Sequence, residues 1–207
     1  MKKWNFIGLA IFEICGNDFL PKGRFFYFPI TRYPHNVDYV RKEEFMENVI
    51  EKSCCFIGHR KINETEELKQ KLTEVIENLI VNENVDTFLF GSKSEFNDLC
   101  RYTVTELKKK YLNVKRIFVR AEYPYINDNY RDYLLQFYED TYYPEKVLNS
   151  GKASYLKRNI EMIDNSKFCV VYYDENYSPG SRKSGTKIAY EYVIEKRKKV
   201  INVIDSI

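Results

Sequence analysis

The sequence predicts an α/β fold: a Rossmann-like parallel sheet with helices on both faces. Three observations carry this. Short apolar runs recur along the chain without alternating polar and apolar residues, which suits strands buried on both faces. Amphipathic stretches of helical period separate those runs. The first two runs end in a glycine, at Gly58 and Gly91, as strand-to-helix turns do.

Taken in order, Ser53-Cys54-Cys55-Phe56-Ile57 is the first strand. The helix after it carries Leu68, Leu72, Val75, Ile76, Leu79 and Ile80 on one face, and Asn63 with Glu66 three residues on reads as its capping box. Thr87-Phe88-Leu89-Phe90 is the second strand. Phe96, Leu99, Cys100, Thr103, Val104 and Leu107 mark the buried side of the second helix, and residues 114–119 form the third strand. Residues 120–150 are irregular and crowded with tyrosines, among them Tyr123, Tyr125, Tyr130, Tyr133, Tyr138, Tyr142 and Tyr143; a short helix is expected over 131–138. A helix near 152–165, a strand over 168–173, a helix over 185–196 and a strand over 200–204 complete the pattern. Residues 1–48 show no such period and are broken by Pro21, Pro29 and Pro34, with Phe25-Phe26-Tyr27-Phe28 as their one strand candidate. They read as an N-terminal extension to a domain over residues 49–207, and removing residues 1–45 is expected to leave that domain folded.

Composition narrows the function classes. Of 207 residues, 44% are hydrophobic, enough for a sizeable core. The 33 basic and 30 acidic residues leave a net charge of +3, which argues against a DNA-binding module. Cys15, Cys54, Cys55, Cys100 and Cys169 are odd in number and several sit in apolar runs, so they read as buried thiols in a reducing, cytoplasmic setting. Cys54 and Cys55 point to opposite faces of one strand, which disfavours a shared zinc, and neither a metal nor a cofactor is expected. No apolar run is long enough to span a membrane, and Glu13 interrupts the one stretch resembling a signal peptide.

Ligands of such sheets bind beyond the carboxyl ends of the strands, where strand order reverses. That selects the loops over residues 58–63, 91–95, 120–151 and 174–186. In the first, Gly58 would let a ligand approach the backbone, with His59 and Arg60 at its edge; Glu64, Glu66 and Glu67 behind it disfavour a phosphate there. In the second, Gly91, Ser92 and Lys93 precede a helix N-terminus suited to an anion, and Glu95 and Asp98, one turn apart, are placed to accept ribose hydroxyls. In the fourth, Ser184-Gly185-Thr186, preceded by Arg182 and Lys183, offers backbone N–H groups, hydroxyls and cations to a phosphate. The order Gly185-Thr186-Lys187 is not a Walker A loop. Arg158 and Asn159 lie on the helix near 152–165, where Arg158 either reaches a ligand or pairs with an acid. The tyrosines either stack on a base or pack their own loop. Segments 58–60, 91–92 and 184–186 should converge on one pocket.

At these residues the chain resembles the YpsA-like branch of the SLOG superfamily: Cys54-Cys55-Phe56-Ile57-Gly58-His59-Arg60, Phe90-Gly91-Ser92, Tyr155 with Arg158-Asn159, Met162 and Asp164, and Ser184-Gly185-Thr186 with Ala189. The resemblance covers roughly residue 50 onward. It implies a bacterial protein with a Rossmann-like sheet that binds nucleotides or nucleotide-derived ligands. The related LOG phosphoribohydrolases carry Gly-Thr-x-x-Glu, whose acid serves catalysis; here Ala189 stands at that spacing and Glu191 lies on another face of the helix. The sequence therefore leads to binding or sensing of a small nucleotide-derived partner without LOG-type hydrolysis. The alternative is an N-glycosidic-bond hydrolase using Glu95 or Asp98. A homodimer is compatible with either.

Overall fold

The first strand, β1 (Ser53–Gly58), lies in the middle of the sheet because both its faces are apolar. Cys54 and Phe56 enter one core, while Cys55 and Ile57 enter the other. The computed structural model describes residues 49–122, 128–176 and 184–204. The extension over residues 1–48, with Phe25–Phe28, lies outside them, as do Tyr123, Tyr125, Arg182 and Lys183.

Helix α1 (Glu66–Asn82) buries Leu68, Leu72, Ile76, Leu79 and Ile80, spaced at three and four residues along one stripe. Its cap differs from the sequence expectation. The hydroxyl of Thr65, not Asn63, accepts the Leu68 N–H at 3.1 Å, and Glu66 is the first helical residue. Asn63 is drawn away instead, its N–H donating to the Tyr172 hydroxyl at 3.4 Å. Next come β2 (Thr87–Phe90), α2 (Glu95–Lys108) and β3 (Lys115–Val119). Within the tyrosine-rich stretch lie α3 (Asp128–Leu134), starting and ending earlier than expected, and β4 (Asp140–Tyr142). Helix α4 (Ser154–Asp164), β5 (Phe168–Tyr172), α5 (Gly185–Glu195) and β6 (Lys199–Asn202) follow.

The strand order is β4-β3-β2-β1-β5-β6, every pair parallel. From β1 the chain steps outward through β2 and β3 to β4; from β5 it steps outward in the opposite direction to β6. The core that packs α1 and α2 lies on one face, and the core holding Met162 and Ile163 of α4 with Ala189 and Val193 of α5 lies on the other. Reversal of direction between β1 and β5 creates a crevice at their carboxyl ends. Sequence reading passed over β4 because a three-residue edge strand with one buried side chain, Thr141, has no apolar run.

Cys54, Cys55, Cys100 and Cys169 are buried free thiols. Burial pushes the thiols of Cys54 and Cys100 well above their usual range, so they act as small apolar fillers. Among the described residues, no helix is long and apolar enough to cross a membrane.

Candidate functional site

A cavity of about 570 Å³ opens at the carboxyl ends of the strands, a size suited to a small organic ligand. Gly58, His59 and Arg60 follow β1 into it. Gly91, Ser92 and Lys93 enter from β2, and Ser184, Gly185 and Thr186 enter at the start of α5. Three segments distant in sequence therefore meet, as the parallel topology requires. Helix α4 contributes Tyr155, Arg158 and Asn159, and the β3 side contributes Phe118, Ala121 and Glu122, with Tyr130 of α3 beside them.

The three glycines have different jobs. A Cβ on Gly58 would stand 2.2 Å from Cδ1 of Phe96, so this glycine makes room for a core ring rather than for a ligand. A Cβ on Gly91 would stand 2.4 Å from Cδ of Arg158 and 2.8 Å from Sδ of Met162, so this one makes room for the arginine. Only at Gly185 would a Cβ meet nothing within 4 Å. Of the three, Gly185 alone presents bare backbone to open space at the cavity.

Arg158 decides the site's electrostatics. It is 6% exposed, yet its partners are neutral. Nε and Nη2 donate to Oδ1 of Asn159 at 3.1 and 2.9 Å, and Nη1 donates to the Gly91 carbonyl. Its guanidinium also lies 5.9 Å from the Tyr155 ring centroid. Among the described residues no carboxylate pairs with it, and burial pulls its pKa down to about 10. It stays charged at neutral pH, and a buried cation that no carboxylate pairs with is stabilised by an anion placed against it.

The two helix N-termini at the cavity are not equivalent. At α2 three donors are taken by the protein: Ser94 Oγ caps Asn97 N, Asn97 Oδ1 accepts from Ser92 N, and Glu95 N donates to the Arg60 carbonyl. Within the Gly91–Lys93 segment, the Ser92 N–H is thus used by Asn97 and the Gly91 carbonyl by Arg158. At α5, Ser184 Oγ accepts from Lys187 N at 3.0 Å, and Thr186 Oγ1 donates to the Gly58 carbonyl at 3.0 Å. Those contacts tie the helix start to β1, while the Gly185 and Thr186 N–H groups have no acceptor within the helix.

His59 is no surface residue: it is 1% exposed. Its Nε2 accepts the Asp174 N–H at 3.1 Å, which puts the proton on Nδ1, and its ring lies beside Tyr172 and Tyr173. Burial pushes its pKa below the usual 6.5, opposed but not overcome by the nearby Asp174. Below about pH 6.5 the unfolded chain then binds more protons than the folded one, so stability falls as pH drops through that value toward the folded pKa. His59→Gln, which can accept the same N–H without titrating, should lose less melting temperature than wild type between about pH 7.5 and 5.5. Equal losses would contradict this.

The chain matches no family model and no curated protein.

Glu95 and Asp98 fall outside the cavity, contrary to the sequence expectation. They line a separate groove between α1 and α2, with Tyr102 and Glu106. The reason is the helix's rotation: Glu95 is turned toward the segment before α1, where its carboxylate takes Lys61 Nζ at 2.7 Å and Ile62 N at 3.0 Å. Those two contacts hold its pKa below the usual carboxylate range. Conversely, sequence reading missed Phe118, Glu122 and Tyr155 as cavity residues. For Glu122 the available signal was its place directly after β3, inside a loop already singled out. Glu95→Gln and Asp98→Asn should leave affinity for any cavity ligand unchanged; a loss measured by calorimetry would return these acids to the site.

Proposed function

We propose that this protein binds a nucleotide or nucleotide-derived small ligand, with a nucleoside monophosphate as the simplest case, in the cavity at the carboxyl ends of β1, β2 and β3. The observation that carries the reading is Arg158, a buried cation with neutral protein partners at the cavity wall. A phosphate there accepts the guanidinium's remaining N–H groups, and the first-turn amides of α5 suit the same charge. Phe118, Tyr130 and Tyr155 offer rings to a base. The resemblance to the YpsA-like branch of the SLOG superfamily points the same way, and the buried free thiols suit a reducing, cytoplasmic setting.

The reading is binding or sensing rather than LOG-type hydrolysis. Ala189, at the spacing of the LOG acid, is fully buried in the core, and Glu191 lies in another depression with Tyr173 and Asp174. A general acid must come within hydrogen-bond reach of the bond it protonates. Native mass spectrometry of freshly purified protein, followed by long incubation with AMP and chromatography, tests both halves. The expected result is added mass of one nucleotide and AMP recovered intact. Release of adenine or ribose phosphate would overturn the reading in favour of a glycosidase.

A further inference from the structure

Arg158 and Asn159 are neighbours on α4, yet their side chains meet. Adjacent helix positions diverge by about 100°, so such a contact is no default of helix geometry. Asn159 Oδ1 accepts from both Nε and Nη2 of Arg158, at 3.1 and 2.9 Å. A guanidinium only donates, so the amide atom that faces it must be the oxygen. That fixes the other end of the amide: Nδ2, on the same carbon, carries its two N–H donors away from the guanidinium. Asn159 is half-buried and lines the cavity. Among the described residues Nδ2 has no hydrogen-bond partner, and it keeps contact with solvent.

Three of the five guanidinium N–H groups are used, one each on Nε, Nη1 and Nη2, and the second hydrogen on each terminal nitrogen remains. Both accepting oxygens, Asn159 Oδ1 and the Gly91 carbonyl, are neutral. An aspartate at position 159 could accept the same two bonds and would pair the charge. The amide holds the guanidinium in the same place and leaves its charge unpaired. We infer that Asn159 reserves Arg158 for the ligand: Oδ1 sets the plane of the guanidinium, and Nδ2 donates to the same anion. Asn159 is thus a positioning residue for Arg158 and a donor in its own right. The group this array takes carries several accepting oxygens on one centre, as a terminal phosphate does; a lone hydroxyl leaves most of the donors unmet.

This inference rests on the nucleotide-binding reading above, and the experiment separates the two. Calorimetric titrations of AMP and adenosine, with thermal melts, would compare wild type, Asn159→Asp and Asn159→Ala. In Asn159→Asp the two Arg158 contacts can persist, while the donors are gone and the charge is paired. Its melting temperature should match or exceed that of wild type, AMP affinity should fall at least about tenfold, and adenosine affinity should stay within about threefold. Asn159→Ala adds no negative charge, so its loss of AMP affinity, also at least about tenfold, reports the missing donors and the released guanidinium rather than repulsion. A residue that only braced α4 would lower the melting temperature in both variants and leave the AMP-to-adenosine ratio as in wild type. That result, or wild-type AMP affinity in either variant, would overturn the inference and leave the nucleotide reading standing. Equal losses for AMP and adenosine would overturn it by placing Asn159 against base or sugar. If Asn159→Ala fails to fold, the ratio in Asn159→Asp decides alone. Failure of AMP to bind wild type would overturn the nucleotide reading and this inference with it.

Discussion

Arg158→Met should weaken nucleotide binding roughly 10- to 100-fold or more in a protein that still folds. The two consequences separate because the guanidinium is a buried charge that no carboxylate among the described residues pairs with. Methionine keeps most of the volume and removes the desolvation cost of that charge, which favours the folded state. Against this stands the loss of the hydrogen bonds to Asn159 and Gly91, about 1–3 kcal/mol for a polar group left without its partner. The net change in stability should stay within roughly 2 kcal/mol. Binding has no such compensation: charge-assisted hydrogen bonds to an anion contribute about 1.5–3 kcal/mol, so affinity should fall roughly 10- to 100-fold or more. Arg158→Lys keeps the charge but not the planar fork and should fall between. A methionine variant that binds AMP as wild type does would remove Arg158 from the site.

The largest stability effect belongs to Gly58→Ala, and Gly185→Val is its counterpart. The new methyl at position 58 would stand 2.2 and 2.5 Å from two ring carbons of Phe96, itself fully buried and unable to swing aside. Overpacking of this kind costs roughly 3 kcal/mol or more, a melting-temperature loss on the order of 10 °C for a domain of this size. At Gly185 the space is empty, so valine should leave the melting temperature nearly unchanged while its side chain intrudes beside the α5 amides and blocks the ligand. Gly91→Ala should do both harms, because its methyl meets Arg158 and Met162. Thermal melts with and without AMP distinguish all three. A stable Gly58→Ala protein, or a Gly185→Val protein that still shows the AMP shift, would contradict these assignments.

Much of the fold was legible because it is written in local period. β2 begins and ends where the apolar run does, and α1 and α2 bury the residues their stripes select, apart from the half-buried Val75. The strand order β4-β3-β2-β1-β5-β6 is not in that period, because the chain returns from edge strand β4 to β5 beside β1. What local period cannot carry is a contact between distant segments. Gly58 and Gly91 read as openings for a ligand, and only the packing of α2 and α4 shows that Phe96 and Arg158 occupy those places. Glu95 and Asp98 were on a plausible helix face, but the rotation of α2 turns Glu95 toward Lys61. Convergence of the β1, β2 and α5 segments was foreseeable from parallel topology alone. The uncompensated charge at Arg158 was not, because a sequence does not reveal which acids are absent from a side chain's surroundings.

The proposed seating of an anion against Arg158 is read out by comparing AMP with adenosine in calorimetric titrations of the wild-type protein. The two ligands share base and sugar and differ in the phosphate. AMP should bind at least about tenfold tighter than adenosine. Equal affinity for the two, or no binding of AMP, would contradict it.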